Sequence, residues 1–378
     1  MGIYSIPLFF ILLVSLSSSC LSPPIGYVKY TVDLGNFTVV QGSLANIFSQ
    51  ISPSELIQDS QGRVFVAAVG SVYVLGPYDG KILRQINVSG AEYMTYDPNQ
   101  SLIYVASGTL PNMSISVISD ETLTLLRTVG LNVSPTGIVY DQRNGEIYVG
   151  FPGGLGELRG NELSPSLRVD GVVTSIAVNP LDGDIYVTTL NFSENQGYLY
   201  SISPELTVNR VVELNTFPNV VTFWNGKIYV GGDGYLEVFN ASSLEPLTSL
   251  QLQGQKIEGI AVDPRDGFIY VSLDSLYGPD SVLAFAGNET LGEIGVGVSP
   301  KSVLYDTVSG EIFVSNFFDG TISIIAPGCP VTQSVTENVT INRPSITPAP
   351  AQTPSYLLPM LVVALTLFLA LYLVRRKG

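Results

Sequence analysis

The sequence predicts an all-β fold, a seven-bladed β-propeller built of four-stranded antiparallel blades. A short apolar segment rich in β-branched and aromatic residues, typical of a strand, recurs seven times along the chain. The copies end at equivalent valines: Val66, Val105, Val149, Val187, Val230, Val271 and Val314. Successive valines are 39, 44, 38, 43, 41 and 43 residues apart. A period of roughly 40 residues is typical of propellers, in which each repeat forms one blade.

Turn-forming residues precede most of these apolar segments. In the sixth copy, Asp263, Pro264 and Gly267 lead into the run 268–271. We interpret such aspartates as turn formers, because the same residue class recurs in nearly every copy. Neighbouring blades are expected to cover both faces of each sheet, which explains why the second strand of each copy is a continuous apolar run. The tyrosines of these runs are therefore expected to pack between blades: Tyr104, Tyr148, Tyr186, Tyr229 and Tyr270.

The first part of the sequence has features of an exported protein. Residues 6–16 are an apolar run of eleven, too short to span a bilayer and typical of a signal peptide, which we place at 1–19. A lipoprotein anchor at Cys20 is the alternative interpretation. Residues 27–42 alternate around Gly35-Asn36, and we expect them to form a hairpin beside the first or last blade.

We assign residues 43–329 to the propeller. The seventh copy lacks an outer strand, because the composition changes soon after residue 326. The segment 43–51 has the register of an outer strand, so we expect this N-terminal segment to close the ring, with 27–34 as the alternative donor. Cys20 and Cys329 are then expected near the closure. Either they form a disulfide, or Cys20 is removed with the signal peptide and Cys329 is free.

The repeat motif resembles the YVTN-type β-propeller repeat. The resemblance rests on Ile-Tyr-Val preceded by Asp-Pro-x-x-Gly and covers the chain from 43 to 328. The family often continues after Tyr-Val with a small residue and Asn, a feature found here at 314–316 only. The resemblance implies a seven-bladed propeller of archaeal or bacterial surface proteins, commonly extracellular and often without known chemistry.

The last part of the sequence predicts a stalk and a membrane anchor. Residues 330–355 are rich in Thr, Ser and Pro and cannot bury enough apolar surface to fold. Residues 356–374 carry no charge and are long enough for one transmembrane helix. The basic tail 375–378 follows at once, which places the C-terminus in the cytoplasm and the propeller outside.

Asn-x-Ser/Thr sequons agree with an outside location. They are more numerous than chance predicts, although a Ser/Thr-rich composition is an alternative cause. We expect glycosylation at these positions: Asn36, Asn87, Asn99, Asn112, Asn132, Asn191, Asn240, Asn288 and Asn338.

The composition excludes several classes of function. Histidine is absent and cysteines number two, which excludes His-based catalytic triads and Cys-rich zinc sites. The net charge of −15 disfavours nucleic acid as a partner. No catalytic signature is found. We therefore expect a membrane-anchored extracellular propeller that acts by binding, in adhesion, surface-layer association or recognition, with a surface protein or a glycan as partner and no cofactor.

One predicted partner surface lies on blades five to seven, where the face carrying the inter-blade loops has no sequon. Exposed aromatic side chains beside carboxylates suit contact with protein or glycan. The alternative is that these are ordinary loops with aromatics tucked between blades. The residues of this surface are Asp274, Tyr277, Asp280, Phe317, Phe318 and Asp319.

A second predicted site is the mouth of the central channel. Glu55, Glu92 and Glu258 fall near the starts of inner strands, with Asn219 and Lys301 at comparable positions. Converging carboxylates can hold a divalent cation such as Ca²⁺. Gluconolactonase-like propellers resemble this arrangement, which implies a metal-dependent lactonase-like hydrolase as the alternative function. The simpler interpretation is a solvated polar rim.

Overall fold

The computed structural model describes residues 26–35, 52–78, 80–108, 113–275 and 279–328. These residues form strands and turns and contain no helix, so no described segment is a helix that crosses a membrane. Several predicted features lie outside the described residues: the signal peptide 1–19, the stalk 330–355, the apolar run 356–374, the tail 375–378, Cys20 and Cys329.

After the first strand, the next eight strands form two four-stranded antiparallel sheets in chain order. β1 (Tyr27–Asp33) belongs to a sheet completed at the far end of the described chain. The first sheet of the array contains β2 (Pro53–Gln58), β3 (Val64–Ala68), β4 (Ser71–Leu75) and β5 (Ile82–Asn87). The second contains β6 (Tyr93–Asp97), β7 (Leu102–Ser107), β8 (Ser114–Ser119) and β9 (Thr124–Gly130).

Two six-stranded sheets follow, and each contains two of the sequence repeats. The first contains β10 (Gly137–Tyr140), β11 (Ile147–Arg159), β12 (Glu162–Val178), β13 (Ile185–Asn191), β14 (Gln196–Ile202) and β15 (Val208–Leu214). The second contains β16 (Pro218–Trp224), β17 (Lys227–Asn240), β18 (Pro246–Val262), β19 (Phe268–Ser275), β20 (Ser281–Ala286) and β21 (Glu289–Gly295).

Each of the four longest strands contains a glycine in the left-handed region, with φ between 72° and 86°. These glycines are Gly153, Gly171, Gly234 and Gly254. Residues with a Cβ rarely adopt this conformation, so glycine allows the chain to depart from an extended path there. β11, for example, pairs with β10 through 147–150 and with β12 through 152–159.

The last sheet joins the two ends of the described chain. It contains β22 (Pro300–Tyr305), β23 (Ile312–Asn316) and β24 (Thr321–Ala326), and β1 pairs antiparallel with β24. The prediction that 43–51 supplies this outer strand is therefore wrong, because 27–33 does so. Strands pair at a sheet edge through their backbone groups, which all sequences share. The similarity of 43–51 to another outer strand therefore does not determine which segment pairs with β24. Residues 36–51 lie outside the described residues.

Apolar clusters fill the space between neighbouring repeats. One cluster joins Leu56 and Val66 of the first sheet to Phe313 and Ile324 of the last. At the same junction, Leu56 N donates to Ser302 Oγ at 3.2 Å. The first and last sheets of the array are therefore neighbours. The tyrosines that were predicted to pack between repeats are all buried: Tyr104, Tyr148, Tyr186, Tyr229 and Tyr270.

The aspartates of the turn motif bond to the nearby backbone, as predicted. Asp97, Asp141 and Asp263 each accept through Oδ1 from the amide two residues further on, at 2.9 Å. Asp306 also accepts from Gln58 Nε2 of the first sheet. These carboxylates thus stabilise the turns, and Asp306 ties two sheets together.

Candidate functional site

One polar residue from each sequence repeat lines a single cavity of about 1040 Å³. We number the repeats one to seven after the valines Val66 to Val314. Each valine pairs with a residue on the first strand segment of its repeat, from Leu56 in repeat one to Val303 in repeat seven. The residue two positions before that partner faces the cavity. We call these seven the ring residues: Ser54, Glu92, Thr136, Thr174, Asn219, Glu258 and Lys301.

The charged ring residues occupy one side of the cavity, which we call the charged arc (repeats six, seven, one and two). Glu258 Oε1 lies 3.1 Å from Lys301 Nζ. The same oxygen lies 2.5 Å from Lys256 Nζ, another residue of the cavity wall. The Glu258 carboxylate thus forms ion pairs with two lysines.

The remaining repeats, three to five, form the neutral arc. Their ring residues carry hydroxyl or amide groups, and aliphatic side chains lie beside them: Ile138, Val173, Ile176, Val220 and Val221. Thr136 Oγ1 is buried and has no hydrogen-bond partner among the described residues. This side of the cavity therefore has an apolar wall, and one of its hydroxyl oxygens is buried without a hydrogen bond.

Glu55 lies one position after the ring residue Ser54 and also lines the cavity. Its carboxylate accepts a hydrogen bond from the amide of Met94 in the next repeat. At the equivalent position of two other repeats, a serine makes the same bond. Ser175 Oγ accepts from Val221 N at 3.1 Å, and Ser302 Oγ accepts from Leu56 N at 3.2 Å. A hydroxyl group is thus sufficient for the structural role, and the carboxyl of Glu55 is additional to it.

Burial changes the titration of both carboxyl groups at this end of the charged arc. Although Glu55 keeps some solvent exposure, burial raises its pKa to about 8, against the opposing hydrogen bond from Met94 and with a contribution from the charge of Glu92. Burial also raises the pKa of Glu92, against hydrogen bonds from the Tyr93 hydroxyl and the Gly108 amide and the positive charge of Lys301.

The structure brings together only part of the predicted metal-binding set. Glu55 and Glu92 are close enough for their charges to interact, whereas Glu258 is engaged by two lysines. Within the described ranges, no group of three or more Asp, Glu, His or Cys residues is arranged to share a metal ion. A cation at Glu258 would have to compete with the ammonium groups of Lys256 and Lys301.

The aspartates of the predicted partner surface hold the connection between β21 and β22 in place. Asp280 Oδ2 accepts from Ser299 N at 2.8 Å, and Asp274 Oδ2 accepts from Ser299 Oγ at 3.0 Å. Asp319 Oδ2 accepts from Val298 N at 2.6 Å. Each of these carboxylates is thus bonded within the fold.

The aromatic residues of the same surface lie at the cavity. Phe317 and Phe318 line it, with ring centroids 5.3 Å apart in an edge-to-face arrangement. Lys301 Nζ lies 5.8 Å from the Phe317 centroid, and Phe318 is 59% exposed. Asp274 also lines the cavity, whereas Tyr277 lies outside the described residues. The two predicted sites therefore border one cavity.

Among the ring residues and the two lysines of the cavity wall, sequence reasoning missed four: Ser54, Thr136, Thr174 and Lys256. A usable signal exists for some of them. The Ser-Pro step at 52–53, 134–135 and 299–300 immediately precedes Ser54, Thr136 and Lys301. The residue after this step is the ring residue. A prediction based on charge identifies Glu55 instead of its neighbour Ser54.

The sequons differ in how accessible their asparagines are. Asn87, Asn132 and Asn288 are exposed. Asn99 is exposed but donates through Nδ2 to the Tyr140 hydroxyl at 2.6 Å. Asn191 and Asn240 accept through Oδ1 from nearby turn amides. The other three sequon asparagines, Asn36, Asn112 and Asn338, lie outside the described residues.

No protein-family model matches the sequence, and no curated protein matches it. Among solved structures, the chain is similar to Kuenenia stuttgartiensis hydrazine synthase, with a TM-score of 0.61 and 13% sequence identity. The likeness covers 77% of this chain and 98% of that chain. At this identity the likeness concerns the fold alone. The antiparallel sheets and this likeness both fit a β-propeller.

Proposed function

We propose that the protein is a binding module in which seven repeats form a closed seven-bladed propeller around one ligand cavity. The single observation that carries this proposal is the composition of the ring residues. The marker valines are identical in all seven repeats, as a structural role demands, whereas the ring residues are polar throughout and differ in type. Variation at equivalent cavity positions suits recognition of a ligand with distinct ends.

The closed ring is supported by packing at the junction of the first and last repeats. Leu56 and Phe313 share one buried cluster, and Gln58 donates to Asp306 across the same junction. Pairing of β1 with β24 completes the last sheet. In a closed ring the charged arc is continuous from repeat six through repeat two.

The proposed location is the outer face of a cell membrane, with the propeller displayed as an adhesion, surface-layer or recognition module of the YVTN type. Support comes from the apolar run 356–374, the basic tail 375–378 and the stalk 330–355. The exposure of Asn87, Asn132 and Asn288 agrees with glycosylation of a displayed domain. A surface protein or glycan is the proposed partner.

A lactonase-like hydrolase is the second candidate function. The observation in its favour is the nearby pair of carboxyls at Glu55 and Glu92, both with raised pKa values. Groups of this kind serve as general acids near neutral pH. Metal analysis of the full chain tests the metal-dependent form. A stoichiometric divalent ion that is lost in Glu92→Gln would favour the enzyme.

The binding proposal is tested by filling the cavity. Thr136→Trp introduces a large ring at a hydroxyl group that makes no hydrogen bond in the described structure. The full-length chain, solubilised in detergent, is incubated with cell-surface extract and the retained compounds are identified by mass spectrometry. We expect at least one compound that Thr136→Trp loses and that the control Ser249→Trp, exposed on β18, retains. Identical retention by both variants would refute a ligand in this cavity.

A further inference from the structure

The carboxyls of Glu55 and Glu92 lack a dedicated positive partner. Neither forms an ion pair with any residue in the described ranges. Both lysines of the cavity wall contact Glu258 instead. The charged arc therefore alternates in sign from Lys256 to Lys301 and ends in two carboxyl groups without a cation between them.

Thr136 borders the same space from the neutral arc. A carbon atom attached to Gly108 would lie 3.2 Å from Glu92 Oε2 and 2.8 Å from the carbonyl oxygen of Pro135, the residue before Thr136. Glu92 thus lies next to the start of repeat three. Thr136 lines this part of the cavity, and its hydroxyl oxygen is buried without a hydrogen-bond partner among the described residues.

We propose that the space between Glu55, Glu92 and Thr136 binds the ammonium group of a primary amine whose aliphatic part lies on the wall of repeats three to five. An ammonium group is a compact positive charge with three donors, which matches the two carboxyls of Glu55 and Glu92. The wall behind it is aliphatic, with Ile138, Val173 and Ile176. This inference rests on the proposed function, because it names the ligand class of the same cavity.

The amine class is tested by calorimetry on the full-length chain in detergent at pH 8.5. Hexylamine and hexan-1-ol have the same aliphatic part and differ in the charged group. We expect hexylamine to bind at least about tenfold more tightly than hexan-1-ol, because only the amine compensates the carboxyls. A blocked lysine, acetylated at its α-amino group, distinguishes a lysine side chain of a protein from a free amine as the source of the ammonium group.

Two variants locate the binding site of the amine. Glu92→Gln removes one charge with little change in shape. Glu55→Ser removes the other and keeps a hydroxyl acceptor for Met94, as Ser175 and Ser302 do at equivalent positions. We expect each variant to weaken hexylamine binding about tenfold or more and to leave hexan-1-ol unaffected. The control Glu245→Gln, an exposed carboxylate between β17 and β18, should bind as the native chain does.

Proton release gives an independent readout. The charged or titratable groups facing Glu55 are Glu92, Tyr93 and, further along the arc, Lys301 and Glu258. Since its pKa is raised to about 8, the Glu55 carboxyl is mostly protonated at pH 7. Ammonium binding favours the ionised form of this carboxyl. Affinity should therefore rise about fivefold between pH 7 and 8 with release of a proton, because the ionised fraction of Glu55 increases by that factor. In Glu55→Ser this rise should be largely lost.

The outcomes separate this inference from the proposed function. Equal binding of hexylamine and hexan-1-ol, or undiminished amine binding in both Glu55→Ser and Glu92→Gln, would overturn the amine class. Absence of hexylamine binding, with a different compound still lost from Thr136→Trp, would also overturn the amine class but leave the binding proposal intact. Loss of hexylamine from Thr136→Trp, Glu55→Ser and Glu92→Gln together would support both.

Discussion

The charged arc and the neutral arc are built on the same strand register, yet they use their equivalent positions differently. In the neutral arc, Ser175 bonds to the next repeat through a hydroxyl group. In the charged arc, Glu55 makes the same bond with a carboxyl whose pKa is raised by burial. Where an uncharged hydroxyl group is sufficient, a buried carboxyl destabilises the fold once it ionises. Ser302, which also belongs to the charged arc, makes this bond with a hydroxyl group. The strand register therefore does not require a carboxyl at Glu55, and we assign that carboxyl to the proposed ligand site.

The largest expected effect concerns two glycines that occupy the Glu55-equivalent position, one in each arc. A Cβ at Gly259 would lie 2.3 Å from the Lys301 carbonyl oxygen, whereas one at Gly137 would meet Ile176 at an ordinary 3.5 Å. Gly259→Ala should lower the free energy of unfolding by roughly 3 kcal/mol, because backbone cannot yield as a side chain can. Gly137→Ala should change it by less than about 1 kcal/mol. Denaturant titration measures both, and equal losses would contradict the close approach of β18 and β22.

The ion pairs of the charged arc provide the next comparison. Glu258→Ala leaves Lys256 and Lys301 without their shared carboxylate. Since both lysines keep partial solvent exposure, we expect a loss of about 2 kcal/mol in unfolding free energy instead of the full cost of a buried pair. Thr174→Val, at the equivalent position of the neutral arc, is the control and should cost about 1 kcal/mol. A smaller loss for Glu258→Ala than for the control would show that the ion pairs are not stabilising.

A smaller effect is expected in the pH dependence of stability. Burial raises the pKa of Glu55 from 4.5 to about 8. The stability that depends on the protonated carboxyl is therefore complete below about pH 4.5 and is lost as the pH rises towards 8. Between pH 5 and 8, native stability should fall relative to Glu55→Ser by about 1–2 kcal/mol, after allowance for solvent screening in the cavity. Parallel stability curves for the two proteins would place the carboxyl in an environment close to water.

The smallest effect on stability is expected at the aromatic rim. Phe318 is 59% exposed, so Phe318→Ser should change the free energy of unfolding by less than about 0.5 kcal/mol. If the rim contacts the ligand, retention of the compound lost from Thr136→Trp should nevertheless decrease. Unchanged retention would restrict ligand contact to the ring residues and the aliphatic wall.

Most of the sheet structure could be predicted because the repeat carries its own register. The seven valines mark equivalent strands, and their pairing partners identify the inner position two residues away. The closing strand could not be predicted in the same way. β1 pairs with β24 through backbone groups, which many alternating segments can provide.

The cavity was only partly predictable for a different reason. Glu92 and Glu258 were recognised by charge, but the state of each depends on residues distant in sequence. Lys301 contacts Glu258 from the next repeat. Likewise, Asp280 and Asp319 accept hydrogen bonds from the backbone of 298–299, so their carboxylates are less available than their position in exposed loops indicated. Composition identifies such groups, whereas their partners are determined by the fold.

The position of β24 between β1 and β23 has a mechanical consequence. The C-terminal end of β24 leads towards the segment that we propose as the stalk. Tension applied through that segment acts on a strand bonded along both sides, with Ala326 paired to Tyr27 and Ile325 paired to Ile312. An edge strand would peel away one hydrogen bond at a time, but here two rows of bonds share the load. A propeller displayed on such a stalk, as we propose, would therefore be held against this tension by both rows of hydrogen bonds.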